Sequence, residues 1–120
     1  MIGVFDSGLG GLSVLAAIAR ALPLADLVYL ADTAHLPYGD KDDGYIRQRV
    51  LTIGKHLVEQ GCGLIVVACN TATVAAVAAF REAFPDLPVV GVEPGVKPAA
   101  QRSRSGRIAV LATESTARSE

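Results

Sequence analysis

The sequence predicts an α/β fold built on a doubly wound parallel sheet, and three observations lead to this prediction. Hydrophobic residues make up 51% of the 120-residue chain and aromatic residues only 5%, a balance typical of a buried parallel sheet flanked by helices. Short apolar runs alternate with longer segments whose apolar residues recur at helical spacing. The connections between them are short, which favours right-handed β-α-β crossovers.

The predicted strands are short apolar runs, most of which end in turn residues. They cover residues 2–5, 27–30, 64–68, 89–92 and 108–111. The third run is wholly apolar, so we expect it at the centre of the sheet, covered on both faces.

The predicted helices lie between these strands. The clearest is the second, in which Ile46, Val50, Ile53 and Leu57 recur at intervals of four, three and four residues. The other two are expected over residues 12–22, ended by Pro23, and residues 71–84, ended by Pro85.

The stretch from Pro94 to Gly106 has the composition of a linker. The run 108–113 that follows it repeats the pattern of residues 2–7. We therefore expect residues 1–97 to form one lobe, and residues 98–120 to form a linker and the first strand of a truncated second lobe. A fifth strand of a single five-stranded sheet fits the same pattern equally well.

Charge and cysteine content exclude several classes of function. The net charge of −1 offers no basic field for nucleic acid. The longest apolar run, residues 64–69, is too short to cross a bilayer, and no signal-peptide pattern precedes it. The two cysteines have no metal-ligand spacing and are expected to be free thiols in a reducing compartment. We expect a cytoplasmic protein with no metal, nucleic-acid or membrane partner.

Polar clusters follow four of the predicted strands, at the edge where open parallel sheets bind ligands. They are residues 6–8, 32–39, 69–71 and 93–94. Each cluster alone is ordinary turn or capping chemistry, but together they surround one crevice. The first is rich in glycine, so its amides could hold a ligand carboxylate, although a tight strand-to-helix turn needs the same residues. It matches neither the dinucleotide nor the Walker pattern, which makes a nucleotide site the weaker interpretation.

Cys69 differs from Cys62 in its setting. It ends a buried strand and begins a helix, whose N-terminus stabilises a thiolate, the form that acts as a base. Asn70 and Thr71 add polar donors beside it. Cys62 lies between two glycines at a helix end and is expected to be structural, a role that an isolated buried thiol such as Cys69 could also have.

Four segments, taken together and in order, resemble glutamate racemases: G-V-F-D-S-G-L-G-G-L-S-V at residues 3–14, A-D-T through P-Y-G at 31–39, A-C-N-T-A at 68–72 and G-V-E-P at 91–94. The resemblance implies a Rossmann-like lobe of the aspartate/glutamate racemase type. It also implies cofactor-independent interconversion of L- and D-glutamate by two thiols on opposite faces of the α-carbon, supplying D-glutamate for peptidoglycan synthesis. A homodimer is a further expectation, through an unpaired strand edge after Gly106.

The resemblance also implies residue roles. Cys69 is one catalytic thiol, and Asp6 assists proton transfer or orients the amino group. The implied substrate-binding residues are Asp6, Ser7, Pro37, Tyr38, Gly39, Asn70, Thr71, Thr113 and Thr116. The family's second cysteine belongs to a Gly-Cys-Thr-His motif that these 120 residues lack, so we expect the chain alone not to racemise glutamate. A non-catalytic fragment or small binding module of the same fold is the alternative, and the motif in frame downstream would favour the enzyme.

Overall fold

The sheet consists of four parallel strands, each of which begins and ends within one residue of its prediction. The computed structural model describes residues 1–118. The strands are β1 (Ile2–Asp6), β2 (Leu27–Ala31), β3 (Leu64–Val67) and β4 (Val89–Gly91), and their order across the sheet is β2-β1-β3-β4. β3 pairs with both β1 and β4, so its predicted interior position is confirmed. The predicted α/β class with a parallel sheet is confirmed as well.

Among residues 1–118, five α-helices connect or follow these strands. They are α1 (Leu12–Ala21), α2 (Asp43–Glu59), α3 (Asn70–Ala83), α4 (Val96–Arg102) and α5 (Glu114–Ala117). α2 begins before its apolar stripe because the Asp42 carboxylate accepts a hydrogen bond from the Tyr45 N–H at 2.8 Å and caps the helix. No helix among residues 1–118 combines the length and apolar character needed to cross a membrane.

The helices divide between the two faces of the sheet. Right-handed crossovers place α1 on one face, and α2 and α3 on the other. The main apolar core lies on the second face, where Phe5, Ile46 and Phe80 are almost completely buried. α1 buries none of its residues. Most of the buried apolar side chains therefore lie between the sheet and helices α2 and α3.

The predicted fifth strand is wrong. Residues 108–111 form no strand, and the side chains of Val110 and Leu111 are exposed to 52% and 104%. The predicted linker is also partly wrong, because it contains α4. Pro98 lies in the first turn of α4, where backbone N–H groups have no acceptor within the helix, so the proline costs no hydrogen bond. The division into residues 1–97 and 98–120 stays a prediction.

Candidate active site

The glycine-rich turn after β1 holds the carboxylate of Asp6. Its Oδ1 accepts the Ser7 N–H at 2.7 Å, and its Oδ2 accepts the Gly11 N–H at 2.6 Å. A Cβ at position 11 would lie 2.8 Å from the Cβ of Asp6, so only glycine allows this approach. Asp6 is 6% exposed. These two amides therefore bind the protein's own carboxylate, rather than being free for a ligand.

Cys69 caps the N-terminus of α3. Its Sγ accepts the Ala72 N–H at 3.4 Å, and the residue is 8% exposed. The Ser7 hydroxyl lies 3.5 Å from this sulfur and 3.5 Å from Asp6 Oδ1. A carboxylate, a hydroxyl and a thiol thus form a continuous polar chain. The N-terminus of α3 therefore directs a backbone N–H group at the sulfur of Cys69.

Three threonine hydroxyls form a second polar group in the site. The hydroxyls of Thr71 and Thr113 lie 2.8 Å apart, and that of Thr113 donates to Thr116 Oγ1 at 3.1 Å. Thr113 also caps α5 by accepting the Thr116 N–H at 3.4 Å. Thr71 and Thr116 are buried. These contacts fix the start of α5 against α3.

These groups line one cleft of about 560 Å³. The site residues that the sequence predicts and that line it are Asp6, Ser7, Cys69, Asn70, Thr71, Thr113 and Thr116. Gly10, Ser13, Val14, Ala68, Val92, Pro94, Leu111 and Ala112 complete its walls. The cleft is large enough for an amino acid with a polar side chain.

The predicted loop residues 37–39 lie beside the cleft instead of lining it. Tyr38 is 2% exposed, packs against Phe5 at 6.3 Å between ring centroids, and donates its hydroxyl hydrogen to Asp32 Oδ2 at 2.6 Å. Gly39 reaches the cleft wall, since a Cβ there would lie 3.1 Å from Thr113 Cγ2. The loop therefore meets the cleft through Gly39, while the phenol of Tyr38 is engaged elsewhere.

Arg49 of α2 binds this loop through Asp32, a contact that was not predicted from the sequence. Its guanidinium donates to both carboxylate oxygens of Asp32, Nη2 to Oδ1 at 2.8 Å and Nε to Oδ2 at 2.9 Å. The sequence could have indicated that Arg49 makes such a contact, because Arg49 follows Ile46 by three positions and so lies at the edge of the apolar stripe of α2.

Burial and hydrogen bonding act in opposite directions on Asp32. Burial disfavours its charged form, but the hydrogen bonds from Arg49 and Tyr38 outweigh this cost and lower the pKa of Asp32 below its usual value. Burial, together with the neighbouring Asp32 carboxylate, raises the pKa of Tyr38. In the folded chain Asp32 is therefore ionised, and Tyr38 is its neutral donor.

Among residues 1–118, no three or more His, Cys, Asp or Glu side chains are grouped so that they could hold a metal ion.

The fold and the site define an α/β protein whose cleft combines a thiol at a helix N-terminus with a buried carboxylate and several hydroxyls. The family model for Asp/Glu/Hydantoin racemases matches residues 2–120. The chain therefore belongs to this racemase family.

Within this family, the chain is similar to several glutamate racemases. The chain is 56% identical over 118 residues to the glutamate racemase of Ectopseudomonas mendocina, covering 98% of this chain and 45% of the relative. It is 45% identical, with a TM-score of 0.82, to Escherichia coli glutamate racemase in complex with L-glutamate and the activator UDP-MurNAc-ala, covering 87% of this chain and 39% of that one. A glutamate racemase isoform from Bacillus anthracis superposes with a TM-score of 0.85 at 37% identity, covering 98% and 44%. The chain thus spans less than half the length of these proteins.

Proposed function

We propose that this chain forms the part of a glutamate racemase that supplies one of its two catalytic thiols. The observation that carries the proposal is the position of Cys69, which caps α3 inside a cleft and has Ser7 at 3.5 Å. This site has the groups that proton transfer at an α-carbon requires: a sulfur base, a neighbouring hydroxyl and a buried carboxylate. The similarity to glutamate racemases supports glutamate as the substrate.

In the proposed mechanism, the Cys69 thiolate removes the α-proton from one isomer. The α-proton of an amino acid is weakly acidic, so the negative charge that develops must be stabilised by donors already in place. Asn70, Thr71 and Thr113 line the cleft and would supply such donors, the two threonine hydroxyls by exchanging their mutual hydrogen bonds for bonds to the substrate carboxylate. Asp6 is held by two amides, and it orients the substrate's amino group or assists the transfer through Ser7.

Inversion requires a second acid on the other side of the α-carbon, and the other cysteine of this chain does not provide it. Cys62 precedes β3, beside Gly3 of β1, whereas Cys69 follows β3 at its carboxyl end. The two thiols therefore lie toward opposite ends of the sheet. We propose that the second thiol comes from outside these 120 residues, and that the chain alone does not racemise glutamate.

We also propose a cellular role, a compartment and an oligomeric state for this protein. A protein with this activity would supply D-glutamate for peptidoglycan synthesis in the cytoplasm. It would act as a homodimer, through a contact other than a strand edge after Gly106, because residues 108–111 form no strand. The free thiols of Cys62 and Cys69 are consistent with a reducing compartment.

A fusion protein tests the enzymatic proposal directly. This chain replaces the matching 118 residues of the Ectopseudomonas mendocina racemase, to which it is 56% identical. We expect the fusion to interconvert both glutamate isomers and the 120-residue chain to show no turnover, measured by chiral chromatography and by α-proton exchange in D₂O. Cys69→Ala should abolish racemisation in the fusion, and Cys62→Ala is the matched control that keeps it.

Two results would contradict the proposal. One is a folded fusion without activity, which would favour a non-catalytic binding module. The other is sustained racemisation by the pure 120-residue chain, which would remove the need for a second thiol.

A further inference from the structure

We propose that Arg49 is a positioning residue, which acts through Asp32 and Tyr38 to hold Gly39 against Thr113 and so fixes one wall of the substrate cleft. This inference rests on the proposed function, because the cleft is taken to bind glutamate. It assigns a role to a side chain that does not itself line the cleft.

The first step is the pair between Arg49 and Asp32. Two parallel hydrogen bonds, at 2.8 and 2.9 Å, match the planar guanidinium to the carboxylate and fix its orientation. Arg49 comes from α2, whereas the Asp32 N–H donates to the carbonyl of Asp6 at 2.9 Å. The pair therefore ties α2 to the strand end that carries the catalytic carboxylate.

In the second step, Asp32 in turn holds the loop through Tyr38. The carboxylate fixed by Arg49 accepts the hydroxyl of Tyr38 at 2.6 Å, and Phe5 supports the ring of Tyr38. Without Arg49, Asp32 would be a buried carboxylate with one neutral donor, and its desolvation would no longer be offset. It would turn toward water and leave Tyr38 without its acceptor.

The third step joins the loop to the cleft. Gly39 follows Tyr38 directly and lies close to Thr113, since a Cβ at position 39 would lie 3.1 and 3.2 Å from two carbon atoms of Thr113, closer than an ordinary van der Waals contact. Thr113 in turn pairs with Thr71 at 2.8 Å. A displaced loop would therefore move hydroxyls on the cleft wall, although no reacting atom is touched.

Arg49→Met in the fusion described above is the first test. We expect KM for glutamate to rise about tenfold while kcat changes less than about threefold, because the loop contributes to binding more than to the proton transfer. Arg49→Lys should lie between parent and Met, since an ammonium keeps the charge but not the paired geometry. The matched control is Arg47→Met, at an exposed position of the same helix, and it should behave as the parent. A folded Arg49→Met fusion with the parent KM would overturn the proposal.

Two further measurements cover loss of folding and failure of the proposed function. If Arg49→Met does not fold, Tyr38→Phe keeps the ring and the Arg49–Asp32 pair, and it should still raise KM about threefold; an unchanged KM would overturn the proposal.

In the 120-residue chain, the nuclear Overhauser effect between Gly39 Hα and the Thr113 methyl group needs no substrate. We expect Arg49→Met to remove it and Arg47→Met to retain it. If the parent fusion is inactive but this dependence holds, the racemase assignment fails and the positioning role stands; if the effect persists in Arg49→Met, the positioning role is wrong.

Discussion

At the scale of single residues, the two cysteines show how position separates thiols of the same chemistry. Cys69 lines the cleft beside Ser7, and its sulfur accepts a hydrogen bond from the Ala72 N–H. Cys62 is 3% exposed, packs beside Gly3, and does not line the cleft. Burial raises the pKa of the Cys62 thiol. Their reactivities should therefore differ even though both are free.

We predict that iodoacetamide alkylates Cys69 at least about tenfold faster than Cys62 at pH 8, because Cys69 lines the cleft, whereas Cys62 does not and burial raises the pKa of its thiol. The measurement is a time course of labelling, read by peptide mass spectrometry. Cys69→Ala should remove the fast phase and Cys62→Ala should leave it intact. Equal rates for the two thiols would contradict the difference in environment described here.

At the scale of secondary-structure elements, the contact between α2 and α3 depends on one glycine. A Cβ at Gly54 would lie 1.9 Å from Cε2 of Phe80, whose ring is 1% exposed. Glycine is a poor helix former, costing about 1 kcal/mol relative to alanine within a helix. Its presence in α2 is therefore explained by the space that the ring of Phe80 occupies.

Gly54→Ala should accordingly destabilise the chain by about 2–3 kcal/mol, since overpacking exceeds the gain in helix propensity. Urea denaturation followed by circular dichroism measures the free energy of unfolding. Gly63→Ala is the matched control, because a Cβ at position 63 meets nothing within 4 Å, and it should be close to neutral. The cost of Gly54→Ala should also shrink in a Phe80→Leu background, which lacks the ring. A stabilising Gly54→Ala would show that α2 and α3 separate freely.

The elements also show how far the sequence alone determines this fold. Apolar periodicity correctly predicts four of the five expected strands and all three expected helices, because it reports which residues each element buries. It fails at residues 108–111, an apolar run that pairs with none of the four strands and stays exposed. It misses α4 because proline is treated as a helix breaker, although Pro98 falls in the first turn.

The site, like the fold, is only partly determined by the local sequence pattern. Asp6, Ser7, Cys69 and Asn70 could be placed together from sequence, because the carboxyl ends of parallel strands share one edge of the sheet. The pair between Arg49 and Asp32 could not be predicted from the sequence, because it depends on how α2 lies against the end of β2.

At the scale of the whole molecule, stability is concentrated on one face of the sheet. The core that encloses Phe5 lies on the side of α2 and α3, whereas Leu12 and Leu22 at α1 are 44% and 50% exposed. Asp32 and Arg49 form a largely buried ion pair that connects α2 to the sheet, with side chains 8% and 24% exposed. Breaking such a pair leaves an uncompensated charge, so its protonation state should affect the stability of the entire chain.

Acid should therefore destabilise the chain partly through Asp32. Its pKa is lowered in the folded state, so the unfolded chain takes up a proton at this carboxylate near pH ~4 and the folded chain only at lower pH. Between those values the unfolded state binds more protons, and the stabilisation present at neutral pH is lost as the pH falls. Thermal unfolding followed by circular dichroism from pH 7 to pH 3 measures this loss.

Asp32→Asn isolates the contribution of this residue, because asparagine does not titrate. Its Tm should be lower than that of the parent at pH 7, and the two curves should converge toward pH 3. Asp86→Asn, at an exposed position, should follow the parent throughout. Other carboxylates act equally on parent and variant, so the difference between the curves reports Asp32 alone. Parallel curves for parent and Asp32→Asn would mean that Asp32 is not held ionised by Arg49, and the anchoring of α2 would then rest on its apolar contacts.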